Sequence, residues 1–351
     1  MPSEDQIREA LKSVRYPGFS RDIVSFGIVR GVKVDPDNGD IVVHLVIATN
    51  DPNIPRKIKE DVSAALADLP GVSNVDIQID IQNPPAASGV AAGAEQNTIV
   101  GVRHIIAVAS GKGGVGKSTV AVNLAVALAK SGASVGLCDC DMYGPSISIM
   151  FGNREPAIAG EDERIVPNEA HGVKLMSMGF LLSGDDSPAI LRGPMVSRLT
   201  QQFLRQVNWG ELDYLLLDLP PGTGDIQLTI VQTVALSGAI LVTTPQEVAL
   251  IDARKGAAMF AKTNVPLLGI VENMSYFLCP DNNKRYDIFG SGGGEREAAR
   301  LKTKLLGNVP IDIATREGGD RGLPIVLGEP KGAVAQEFMR IAHELQEALD
   351  A

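Results

Sequence analysis

The sequence predicts an α/β protein: a doubly wound, mostly parallel sheet preceded by a small α+β domain. Three observations carry this. Near-continuous apolar runs recur along residues 105–272 with helical segments between them, the pattern of parallel strands covered on both faces. One of these runs, IIAVA at 105–109, leads straight into a glycine-rich turn and a helical stretch. Residues 82–98, QNPPAASGVAAGAEQNT, are small and lack apolar periodicity, so they read as a flexible linker that divides the chain.

Residues 1–81 make the small domain. A helix is expected over 3–14, then strand segments at 23–30 and, after the turn DPDNGD, at 41–47. A helical stretch over 55–68 precedes 75–81, where VDIQIDI alternates strictly, as a half-buried strand should. Residues 99–351 make the larger domain. Its strands are expected at 105–109, 134–138, 173–177, 214–218, 239–243 and 267–272. Its helices are expected at 117–131, 194–207, 225–236, 247–263, 294–303 and 331–350. Such a sheet binds ligands at the carboxyl ends of its strands.

Composition removes several function classes. The net charge of −10 argues against a protein that clamps nucleic acid through bulk charge. Three cysteines are too few for a secreted disulfide framework. No run of 18 apolar residues is present, and residues 1–12 are polar rather than a leader. The expectation is a cytoplasmic protein with neither nucleic acid nor membrane as partner.

Gly111-x-x-x-x-Gly116-Lys117-Ser118 has the spacing of a nucleoside-triphosphate phosphate loop, with a strand before it and a helix after. Gly111, Gly113, Gly114 and Gly116 carry no Cβ, so the backbone, Val115 included, can turn tightly and aim N–H groups at phosphate oxygens. The helix adds its dipole and unpaired donors. Lys117 is expected to reach the β and γ phosphates of ATP, and Ser118 to offer its hydroxyl to Mg²⁺. Thr119 caps the helix or touches the α phosphate. The alternative is a glycine-rich turn without a ligand. Asp139 and Asp141, in LCDCDMYGPS, stand at a strand's carboxyl end, where a carboxylate can orient an attacking water or hold Mg²⁺ through water. Asp218 ends YLLLD, an arrangement suited to an outer-shell Mg²⁺ contact, and Gly222 and Gly224 follow in a loop able to sense the γ phosphate. Asp139 or Asp218 alone also fits a cap or a turn.

Lys112 gives the loop a second lysine, KGGVGKS. With it, the segment resembles the deviant phosphate-loop ATPases related to MinD, ArsA and the nitrogenase iron protein. That resemblance implies a homodimer in which Lys112 reaches the partner's nucleotide; the alternative is a solvated loop lysine. It also implies that Asp141 lies nearest the attacking water, which makes Lys112, Lys117 and Asp141 the catalytic set and Asp139 the more structural carboxylate. By the same resemblance Asn273, in VENMS, contacts adenine unless it is a turn asparagine, and 309–322 form a loop beside the base. Nothing resembles an arginine finger, so hydrolysis is expected to be slow.

VASGKGGVGKSTVAVNLA, DMYGPSI, LRGPM, LDLPPGTGD, TTPQEVAL, VENMSYF and FGSGGG occur in this order. Over roughly residues 100–350 the chain therefore resembles the Mrp (ApbC) family of iron–sulfur cluster carrier ATPases. YPGFSRDIVSFG and DLPGVSNVDIQI make the first domain similar to the MIP18-type domain often fused to them. The resemblance implies ATP, Mg²⁺ and a transferable iron–sulfur cluster, with apoproteins as clients. The family carries a C-x-x-C after VENM, so that two protomers hold a [4Fe–4S] cluster by four thiolates. Here Cys279 stands first and Asn282 replaces the second cysteine, and TNDPNIP lacks the cysteine often found in the first domain. Cys279 is thus either a cluster ligand in a non-standard set, with Asp281, an external thiol, or Cys138 and Cys140 completing it, or an incidental thiol. Cys138 and Cys140 are expected to point to opposite faces of their strand and to serve as packing residues. Two other readings remain: a nucleotide-switch scaffold that has lost the cluster site, and a MinD- or ParA-like positioning ATPase. The acidic amphipathic C-terminal segment reads as a packed helix rather than the basic membrane anchor of the last class.

Overall fold

The computed structural model describes residues 2–14, 22–24, 28–34, 40–48, 53–67, 69–70, 72, 74–82, 98–142, 144–160, 164–177, 180, 203–204, 206 and 207–350. The chain divides into two compact units, residues 1–94 and 95–351.

The first unit is an α+β layer pair. Helix α1 (Glu4–Leu11) begins in a capping box: the Gln6 N–H donates to Ser3 Oγ at 3.3 Å and the Ser3 N–H to Gln6 Oε1 at 2.9 Å. Strand β1 (Val29–Val34) runs antiparallel to β2 (Asp40–Ala48), and helix α2 (Asn53–Ala67) crosses over to β3 (Asn74–Gln82), parallel to β2. Ile7, Leu11, Ile41, Val43, Leu45, Ile47, Ile58, Val62, Leu66 and Ile77 fill the core between helices and sheet. The expected strand at 23–30 is a correction. Ile23 anchors a turn instead, donating to the Val14 carbonyl at 2.9 Å and accepting from the Ile28 N–H at 3.1 Å. The strand starts at Val29, and a register shift between Val29 and Gly31 breaks the period-two pattern that sequence reading depends on. Of the expected linker, Gln82 ends β3 and residues 83–97 lie outside the described residues.

The second unit is built on strands β4 (Val102–Ala109), β5 (Val135–Asp139), β9 (Val173–Met176), β10 (Leu212–Asp218), β11 (Gly238–Thr243), β12 (Leu267–Leu278) and β14 (Leu305–Ile311), all parallel. Short antiparallel strands β8 (Asn168–Ala170) and β13 (Arg285–Tyr286) close its two edges, while β6 (Ile158–Ala159) and β7 (Ile165–Val166) pair apart from it. The order is β13-β12-β11-β4-β10-β5-β9-β8, with β14 on β12. β4 is the switch point, because the chain leaves it first toward β5 and later fills the other side from β11 onward.

Helices cover both faces. Helix α3 (Lys117–Lys130) is buried from Val120 to Leu128, enclosed by the sheet and by α10 (Ala333–Asp350), which contributes Phe338, Ile341 and Leu345. The opposite face packs Ile230 and Val231 of α5 (Asp225–Thr233), Met259 and Phe260 of α6 (Glu247–Lys262), and Trp209. The apolar stripe of α10 is therefore spent on the core. Among the described residues no helix is long and apolar enough to cross a membrane.

Helix α4 (Ile147–Met150), α7 (Gly293–Leu301), α8 (Ile313–Arg321) and α9 (Ile325–Gly328) complete the unit. The helix expected at 194–207 falls largely outside the described residues. The loop expected at 309–322 is a second correction. Residues 309–311 belong to β14, and Asp312 caps α8 by accepting the Thr315 N–H at 2.6 Å. Gly318 and Gly319 lie inside α8, and glycine in a helix interior hides it from sequence reading.

Candidate nucleotide site

The glycine-rich loop sits at the carboxyl end of β4, at the switch point. A Cβ on Gly111 would collide with the backbone of Asp252 and Ala253 in α6, so the loop lies against that helix as only glycine allows. Gly116 is left-handed, φ 77°, and a Cβ there would strike the Asn273 amide. Gly116 is also the N-cap of α3 and supplies no side-chain acceptor. The first N–H groups of α3 thus keep the donor capacity that an anion at a helix N-terminus uses.

Three loop and strand residues converge. Lys117 Nζ donates to Asp218 Oδ1 at 2.5 Å, and Ser118 Oγ donates to Asp218 Oδ2 at 2.6 Å. Asp218 pairs in register with Asp139 on the neighbouring strand, so two carboxylates share this strand end. Asp139 accepts from the N–H groups of Asp141 (3.0 Å), Ser146 (3.0 Å) and Ile147 (3.3 Å) and from Ser177 Oγ (3.1 Å), and so holds the segment after β5. Burial pushes the Asp139 carboxyl up to about 7, aided by the Asp218 charge and opposed by the Ile147 N–H and Lys117. Burial also raises Asp218, against Lys117 and Ser118, which favour its charged form.

Asp141 is half-buried, and its carboxylate accepts from Gly144 N–H at 3.3 Å. Lys112 is half-buried and forms no ion pair among the described residues, while its carbonyl accepts from Ser110 Oγ at 3.0 Å. Thr119 supplies a carbonyl to Asn123 at 2.9 Å. The loop after β10 is tied to the phosphate loop by Gly222 N–H donating to the Ser110 carbonyl at 3.0 Å. Gln227, which sequence reading passed over, is buried and donates its amide to the Pro220 carbonyl, bracing that loop. Nothing in the local sequence marks it.

Asn273 is buried, and its Nδ2 donates to the Val115 carbonyl at 2.8 Å. One of its two amide N–H groups is thus engaged by the phosphate loop. Beside it, Glu272 was also missed. It is buried, accepts from Ser275 Oγ at 2.5 Å and from Gly294 N–H at 2.5 Å, and ties β12 to the start of α7.

The cysteines bring a third correction. Cys138 and Cys140 do not diverge: two residues apart along a strand they share a face, and their sulfurs lie 3.9 Å apart, fully buried. The hydrogen bond to the Cys138 sulfur, burial and nearby carboxylates raise the Cys140 thiol well above its usual range. Cys279 lies elsewhere, half-buried in the β12–β13 hairpin, where its N–H donates to the Lys284 carbonyl at 3.0 Å. Asn282 Oδ1 accepts the Lys284 N–H at 2.9 Å, so the residue in place of a second cysteine shapes the turn. Among the described residues no group of three or more His, Cys, Asp or Glu side chains could hold a metal ion.

The family model described as NUBPL iron-transfer P-loop NTPase matches residues 101–346. The chain belongs to this family. A second model, described as iron-sulfur cluster assembly protein, matches residues 4–95. The chain is 45 % identical over 350 residues to the iron-sulfur cluster carrier protein of Synechocystis, covering 98 % of this chain and 97 % of that one. It is 46 % identical over 298 residues to the carrier of the same name in Escherichia coli, covering 84 % and 78 %. Among solved structures it resembles a nucleotide-binding protein in complex with ADP from Archaeoglobus fulgidus, with TM-score 0.59 and 39 % identity over 68 % of this chain and 92 % of that one. It also resembles the MinD protein complexed with Mg-ADP from Pyrococcus horikoshii, with TM-score 0.56 and 26 % identity over 70 % and 96 %. The chain thus has the MinD-like phosphate-loop NTPase fold, with Lys117, Ser118 and Asp218 brought together at the glycine-rich loop.

Proposed function

We propose that the protein is a homodimeric, ATP-binding and slowly ATP-hydrolysing carrier that holds an iron–sulfur cluster and delivers it to apoproteins in the cytoplasm. The observation that carries this reading is the convergence of Lys117, Ser118 and Asp218 at the carboxyl end of β4, beside a strand that leads to Cys279. Bound magnesium would supply charge neutralisation, with the Ser118 hydroxyl and Asp218 as the groups that would hold it. Lys117 would leave Asp218 to pair with the β and γ phosphates. Asp139 holds the switch segment so that Asp141 faces the attacking water. Lys112, which forms no ion pair among the described residues, reaches the second protomer's nucleotide.

Two Cys279 thiolates, one from each protomer, are the cargo's protein ligands, and the remaining iron positions take non-cysteine ligands. The structure of the hairpin supports a second reading, a nucleotide switch without cargo, because Asn282 makes the turn where a second thiol would stand. Anaerobic reconstitution with iron and sulfide separates the two, read by the ~400 nm thiolate–iron band and by iron per dimer. A cluster in the wild type that is lost in Cys279→Ala establishes the carrier. No cluster in either protein, with ATP hydrolysis intact, leaves the switch.

A further inference from the structure

β12 touches the phosphate loop at Asn273 and leads directly into Cys279. Asn273 holds the Val115 carbonyl at 2.8 Å. Its neighbour Met274 places its Cε 3.7 Å from the position a Gly116 Cβ would take. Cys279 follows six residues after Asn273 along the same chain segment, within about 20 Å.

The backbone between these points is not regular. Met274 is left-handed at φ 53°, inside a strand and without the freedom of glycine. Such a conformation costs of order 1 kcal/mol or more and persists only where its surroundings impose it. The pairing with β14 shows where the chain is taken up. Asn273 faces Val309 and Phe277 faces Ile311, so four steps along β12 match two along β14. The bulge is braced by Ser275 Oγ, which donates to Glu272, by Glu272, which accepts from Gly294, and by Tyr276, whose ring lies 4.4 Å from the Arg285 guanidinium. The phosphate loop restrains it too, through Asn273.

We propose that Asn273 and Met274 are positioning residues that convey the state of the phosphate loop to the Cys279 hairpin. When the loop closes on phosphate, the Val115 carbonyl and Gly116 move or stiffen. Asn273, which bonds the Val115 carbonyl, and Met274, whose side chain faces Gly116, are the first residues of the bulge. A left-handed residue within a bulge has a neighbouring extended conformation available, so a small shift at Val115 becomes a change in the twist of the last turns of β12. The hairpin at Phe277–Tyr286 and Leu278–Arg285 moves with it. This inference rests on the nucleotide reading of the loop and does not require the cluster.

The full-length protein tests it through its own thiols. Cys138 and Cys140 are fully buried, so a maleimide under native conditions reads Cys279, as peptide mass spectrometry verifies. The labelling rate is measured without nucleotide, with Mg–ADP and with Mg–ATP, while a fluorescent ATP analogue reports binding. Wild type is expected to change its rate by about 5-fold or more on saturation, the lower range of coupling between sites. Asn273→Ala and Met274→Gly are expected to bring that ratio close to one, with nucleotide still bound at saturating concentration. Glycine at 274 accepts the left-handed conformation without cost and so removes the strain while leaving the strand its path. A purely structural role would change absolute rates and leave the ratio intact. If Asn273→Ala fails to fold, Met274→Gly decides alone. Bound nucleotide with an unchanged rate in wild type overturns the inference and spares the proposed function, as does a full ratio in Met274→Gly. Absence of nucleotide binding in wild type overturns both.

Discussion

Lys117 and Asp218 form a buried ion pair, 6 % and 0 % exposed, with the ammonium 2.5 Å from the carboxylate. The residues stand 101 positions apart and meet because β4 and β10 are adjacent strands. Asp218 in turn lies in register with buried Asp139. One lysine therefore serves a site with two carboxylates, and the predictions about this site follow from that imbalance.

Lys117→Ala is expected to abolish ATP hydrolysis and to weaken ATP binding. It also leaves Asp218 buried beside Asp139 without a cation, which costs about 3 kcal/mol of stability. Urea denaturation reads the second effect separately from the first. A variant as stable as wild type would show that the pair contributes nothing to the fold.

If Lys112 acts on the second protomer's nucleotide, as proposed, Lys112→Ala is expected to keep most nucleotide binding and lose hydrolysis. Mixing Lys112→Ala with Lys117→Ala should restore part of the activity, because one site of the mixed dimer then has both lysines. Hydrolysis equal to wild type in Lys112→Ala alone would end the idea of a lysine acting in trans.

Stability should depend on Asp139. Its carboxyl is raised from the ordinary 3.8 to about 7. Between those values the native protein keeps a proton that the unfolded chain has released, so stability falls as pH rises from about 4 to about 7 and levels off above. Asp139→Asn should flatten that slope, whatever constant offset it adds. Melting temperature against pH is the measurement, and an unaltered slope would assign the titration to another group.

Arg254 joins α6 to α7. Its guanidinium meets Glu297 at 2.8–3.0 Å and Glu247 at 3.0 Å, and Glu297 is only 2 % exposed. Arg254→Ala strands that carboxylate and should lower stability, read as a fall in melting temperature. Adding Glu297→Gln should recover part of the loss in a double-mutant cycle. Because Gly111 leans on Asp252 and Ala253 of the same helix, weaker nucleotide binding should accompany the loss of stability.

The parallel core strands and the phosphate loop were legible because their signals are contiguous. An apolar run needs only its own residues, and the loop's glycines, Lys117 and Ser118 lie within eight positions of one another. β14 was missed because Gly307 and Pro310 interrupt its short apolar run, and α8 because of its two glycines. The face shared by Cys138 and Cys140 follows from the period of a strand, which was misapplied rather than hidden. Gln227 and Glu272 could not be found, since each acts on backbone that its neighbours in sequence do not reveal.

By itself the sequence determined the order of strands and helices in the core of the larger unit and the place of the glycine-rich loop, because hydrophobic periodicity and glycine spacing are local. Tertiary structure alone decided that Lys117 rests on Asp218, that Asp139 gathers four donors, and that Asn273 holds Val115 across 158 positions. Those contacts depend on which strands become neighbours, and neighbours are chosen by burying the whole sheet at once.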